Sequence, residues 1–81
     1  MTTFARIDAY RTRLSAGDHL AAQSRWHAAY REYCAAHDLG HDVRTDHLAA
    51  HRAALVAAVQ MRSPARIAYQ AVFLSFAFLT A

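Results

Sequence analysis

Apolar residues recur along this chain at helical spacing, and no segment alternates with a period of two for long. Phe4, Ile7, Tyr10 and Leu14 fall on one side of a first helix that Thr2 or Thr3 can cap. Gly17 stands where a glycine just past the last turn would end that helix. Asp18 can cap a second helix, with the stripe Ala22, Trp26, Ala29 and Tyr33 and with Leu20 and Tyr30 alongside, up to a second stop at Gly40. Asp42 or Thr45 restarts the chain, and Leu48, Leu55, Val56 and Val59 mark the inner face of a third helix. Ser63 followed by Pro64 is a cap with proline at the first helical position, which starts a fourth. The pattern predicts an all-α fold: a small helical bundle of about four helices, roughly 3–16, 19–39, 45–62 and 64–80, forming one domain over 1–81.

The fourth segment is the hardest to leave in water. From Ile67 to Ala81 there is no charged residue, and Tyr69, Val72, Phe76 and Leu79 form one stripe while Ile67, Ala71, Leu74 and Phe78 form a second. A membrane span needs about 20 apolar residues, more than this stretch supplies, and Gln70 interrupts it, so no transmembrane span is expected. The alanine-rich helices upstream offer thin faces that cannot cover both stripes. Each aromatic ring needs roughly 150–250 Å² of cover, and monomers seldom expose more than a few hundred Å² of contiguous apolar surface. Tyr69, Val72, Phe73, Phe76 and Leu79 are therefore expected to bind a partner, most simply a second copy in a homodimer, or else another protein.

Composition narrows the setting. A chain of 81 residues is one domain of marginal stability, and its single cysteine, Cys34, cannot form an internal disulfide. That usage, and the absence of a secretion-type apolar run among Arg6, Asp8, Arg11 and Arg13, predict a reducing, cytoplasmic protein. Lysine is absent, a bias that suits a GC-rich bacterial or phage genome. The net charge of +3 is modest and spread along the chain, so it demands neither nucleic acid nor an acidic partner.

Candidate chemistry is concentrated between Cys34 and His51, in CAAHDLGHDVRTDHLAAH. His47 and His51 are four apart and share a helix face, a spacing that lets two imidazoles converge on one ion. If the second and third helices form a hairpin, Cys34, His37, Asp38 and His41 approach that pair across the turn, and zinc would clip the hairpin together. The competing reading is a solvated polar turn in which the aspartates act as caps. The segment AHDLGH, Ala36 to His41, also resembles the His-Asp motif of the HD-type metal-dependent phosphohydrolases. The resemblance implies metal binding by His37 and Asp38, with His19 as an upstream ligand. It covers six residues, and the distant downstream aspartate of that fold is missing, since nothing after Asp46 is acidic.

A helix-turn-helix reading would offer Arg44, Thr45, His47, His51 and Arg52 to a DNA groove. Asp38, Asp42 and Asp46 would then face phosphate, which argues against nucleic acid. Cys34 lacks an oriented base, Glu32 is the sole glutamate, and two glycines cannot build a phosphate-cradling loop. The expectation is thus a non-enzymatic, cofactor-free helical module that binds protein, or itself, through its apolar C-terminal helix. The alternatives are a zinc domain with His47, His51, His37 and Cys34 as ligands, and a helix-turn-helix-like module.

Overall fold

The structure, a computed structural model, describes residues 2–40 and 43–80, the last five by backbone alone. Among the described residues there are four helices and no strand: α1 (Thr3–Ala22), α2 (Trp26–Leu39), α3 (Arg44–Gln60) and α4 (Pro64–Thr80). Each helix packs chiefly on its neighbour in sequence. The Cα trace measures 36 × 31 × 14 Å, so the bundle is a slab at most two helices thick at the usual spacing of about 8–10 Å between axes. No described helix is long and apolar enough to cross a membrane.

The starts of α1 and α4 follow the sequence signals. Thr2 Oγ1 accepts the Ala5 N–H at 3.0 Å, and Ser63 Oγ accepts the Arg66 N–H at 3.4 Å. The break between the first two helices does not fall where the sequence suggested. α1 runs through Gly17 to Ala22, and the turn is Gln23 to Arg25, so the second helix begins at Trp26 rather than near residue 19. Gly17 serves close packing instead of a turn: a Cβ there would stand 2.5 Å from Tyr33 Cε1 and 2.6 Å from Cδ1. Gly40 does end α2, but at φ −96°, and a Cβ there would meet the Tyr10 ring at 2.8 Å.

The residues that reverse the chain are Ser24 (φ 59°) and Arg62 (φ 54°). Each closes a helix in the same way. Arg25 N–H donates to Leu20 O at 2.9 Å and Ser24 N–H to Ala21 O at 2.9 Å; Ser63 N–H donates to Ala58 O at 3.3 Å and Arg62 N–H to Val59 O at 3.0 Å. These paired bonds are the Schellman arrangement, which normally places glycine in the left-handed position. A side chain there costs roughly 1–2 kcal/mol, and glycine's greater unfolded-state freedom returns about half of that. Ser24→Gly is therefore expected to stabilise the fold by up to about 1 kcal/mol, seen as a rise of about 4–8 °C in Tm; an unchanged or lower Tm contradicts this account of the turn.

The core is built from small residues. Ala29 and Tyr33 of α2 pack on Ala54 and Ala57 of α3, with Leu14, Leu20, Trp26 and Tyr30 around them. A second cluster joins Tyr10, Ala36 and Ala50. The inner face of α3 is consequently Ala50, His51, Ala54, Ala57 and Ala58, whereas Val56 and Val59, expected inside, are about half exposed. Alanine wins because it lets two helix backbones approach closely, and the larger side chains are left at the rim. Phe4, on the same side of α1 as Tyr10 by its spacing, is likewise exposed.

Candidate metal centre

Three helices converge on one polar spot. His37 sits in the last turn of α2, and His47 and His51 lie one turn apart on α3, which folds back on α2 after a short connection. His51 is buried at 3% exposure and His37 and His47 are half-buried, whereas Asp38, Val43, Arg44 and Thr45 are exposed. His47 Nε2 lies 2.7 Å from His37 Nε2 and 3.1 Å from His51 Nε2. The ring centroids are 4.2–4.7 Å apart. One ligand nitrogen from each of the three stands within 4.8 Å of the others.

The partners on the far side of the rings decide which nitrogens face inward. His51 Nδ1–H donates to Gln70 Oε1 at 2.7 Å, and Gln70 Nε2 donates to the Tyr30 hydroxyl at 2.9 Å. His37 Nδ1–H donates to Asp38 Oδ1 at 3.1 Å. With Nδ1 of His37 and His51 so engaged, the Nε2 atoms of both rings face His47 Nε2. That atom carries at most one proton. Three nitrogens so grouped are a donor set that a divalent cation could use. Metal–nitrogen bonds of about 2.0–2.1 Å at a tetrahedral angle would need ligand nitrogens about 3.3 Å apart, and the His47 contacts of 2.7 and 3.1 Å lie close to that spacing. A histidine that binds metal through one nitrogen and donates from the other to a carboxylate or carbonyl is the usual outer-shell arrangement.

A cavity of about 230 Å³ adjoins the cluster, lined by Cys34, His37, Asp38, His51, Tyr69 and Gln70 among others. Cys34 therefore lies beside the centre but outside the three-histidine group. Burial raises the pKa of its thiol, an effect partly offset by the neighbouring Tyr30 hydroxyl, so the thiol is a poor nucleophile at neutral pH. Burial also raises the pKa of Tyr30 itself. His41 and Asp42 lie outside the described residues.

Sequence spacing singled out His37, His47, His51 and Cys34, and the fold brings the three histidines together. It missed Gln70 and Tyr30. The signal for Gln70 was present: it is a lone amide within an otherwise apolar segment, and it is 2% exposed in α4. The arrangement implied by the HD-type resemblance is not assembled. His19 is exposed on α1, 3.4 Å from Gln23, and Asp38 contacts the neighbouring His37 from an exposed position. The helix-turn-helix assignment loses His51, whose burial removes it from any reading face.

On α4, the inward strip is Ile67, Gln70 and Leu74. Tyr69 and Val72 are each 55% exposed and Phe73 is 47% exposed, the last stacked over His51 at 6.4 Å between ring centroids. The side chains of Phe76 and Leu79, assigned to the same surface from sequence, lie outside the described residues. Compared with known proteins, the chain matches no family model, no curated protein and no solved structure at a significant level.

Proposed function

We propose that the protein is a small metal-binding helical domain in which His37, His47 and His51 hold a divalent ion of the zinc type. The observation that carries this reading is the convergence of three imidazole nitrogens, with His47 Nε2 at 2.7 and 3.1 Å from its neighbours. Imidazole ligands suit zinc and its transition-metal neighbours, and an all-nitrogen set disfavours calcium and magnesium. The ion would join α2 to α3, and a clip of this kind supplies stability that so small a core lacks. Metal analysis of tag-free protein, with thermal melts in the presence and absence of chelator, tests it. Bound metal and a chelator-sensitive melt support the site, and the lack of both removes it.

A second reading rests on a separate observation. Tyr69, Val72 and Phe73 leave a contiguous apolar face of α4 about half exposed, on a slab too thin to enclose the helix. We infer that a second copy of the chain covers this face. Its charge-free run from Ile67 onward meets its own image without like-charge repulsion or a stranded charge. Helix α4 is about 25 Å long, and one helix pair buries less than the roughly 800 Å² per partner of a standard interface. The dimer is accordingly expected to dissociate in the micromolar range. Sedimentation should show concentration-dependent association that Val72→Asp abolishes; a monomer at every concentration overturns it.

A further inference from the structure

We propose that Gln70 couples metal binding to the docking of α4, as a positioning residue that orients His51 from the opposite helix. The inference rests on the three-histidine reading and adds a regulatory consequence to it.

The argument starts from how α4 is attached. Its inward strip is short, Ile67, Gln70 and Leu74, and Gln70 is its buried polar member. Both ends of that amide are engaged, Oε1 by His51 of α3 and Nε2 by Tyr30 of α2. Arg66, one turn earlier, sits over the Tyr30 ring at 5.7 Å and braces the same partner. No buried side-chain nitrogen or oxygen among the described residues lacks a partner, and undocking α4 would break the two bonds that Gln70 makes.

The same amide sets the chemistry of the site. Because Oε1 holds the proton on His51 Nδ1, Nε2 is the nitrogen presented to an ion. Coordination at Nε2 withdraws electron density from the ring, which makes Nδ1–H a stronger donor to Gln70. A bound ion would thus tighten the bond that holds α4, and α4 in turn would hold His51 with Nε2 toward the ion. Coupling of this kind is reciprocal: the factor by which docking raises metal affinity is the factor by which metal favours docking. Loss of an outer-shell partner typically lowers metal affinity by about 10–100-fold.

Two measurements test the coupling. Zinc affinity by competition with a chromophoric chelator should fall about 10–100-fold in Gln70→Leu and recover in Gln70→Glu, which restores an acceptor oxygen. Hydrogen exchange on the wild-type chain needs no variant to fold: zinc should slow exchange of the α4 amides from Ile67 to Leu74 as well as those of α2 and α3. Zinc that binds wild type and Gln70→Leu equally, or that protects α2 and α3 while leaving α4 unchanged, overturns the coupling and leaves the three-histidine site standing. A wild-type chain that takes no zinc overturns both.

Discussion

Saturating zinc is expected to raise the melting temperature of the metal-free protein by about 10–20 °C, and His47→Ala to abolish the shift. The size follows from mass action. A ligand at about 100 times its dissociation constant stabilises the folded state by roughly 2.7 kcal/mol, and 1 kcal/mol moves Tm by about 4–8 °C in a domain of this size. His47 is the informative position because its Nε2 is the shared neighbour, 2.7 Å from His37 and 3.1 Å from His51. It is half-buried, and its removal leaves the His51–Gln70 bond in place. The variant should therefore fold and melt independently of zinc. His37→Ala is expected to behave alike. His19→Ala and Cys34→Ala, which lie outside the cluster, should keep most of the shift. Differential scanning calorimetry at two zinc concentrations reads all four; an equal shift in His47→Ala and wild type would place the ion elsewhere.

The i, i+4 pair His47 and His51 was legible because a helix puts such residues on one face whatever packs against it. The approach of His37 depended on the short connection after Gly40, which brings the end of α2 against the start of α3, and sequence anticipated that too. What sequence could not supply was the burial of the cluster. Judging α3 by its largest apolar residues turned Val56 and Val59 inward and left the histidines in solvent. Close helix contact instead selected Ala50, Ala54 and Ala57, and that rotation carries His51 to 3% exposure against Gln70. Side-chain size was a poor guide because the tight interface excludes large groups. The same misjudgement ended α1 at Gly17. A glycine required for φ > 0 and one required for close approach look alike in one sequence, and the residues that actually take positive φ, Ser24 and Arg62, carry no turn signature.

Gly17 and Tyr33 yield a prediction in which the sign of an effect reverses with its partner. Tyr33 is 4% exposed, packs on Ala29, Ala54 and Ala57, and donates from its hydroxyl to Asp18 Oδ1 at 2.7 Å. Truncating a buried aromatic costs about 3–5 kcal/mol, and a domain of 81 residues holds about 4–12 kcal/mol in all. Tyr33→Ala should thus leave the domain close to unfolding at 25 °C. Gly17→Ala alone gains about 1 kcal/mol of helix propensity. It also drives a methyl to 2.5 Å from Tyr33 Cε1, and overpacking of a buried ring costs about 1–3 kcal/mol. The clash wins because the ring is wedged against α3 and cannot swing away, so the single variant is destabilised. In a Tyr33→Leu background the obstructing ring atoms are gone, and the same Gly17→Ala change should stabilise by up to about 1 kcal/mol. Urea titrations of the four proteins in this double-mutant cycle measure the coupling directly. Equal effects of Gly17→Ala in both backgrounds would mean that the ring does not rest on this glycine, and the register of α1 on α2 would have to be redrawn.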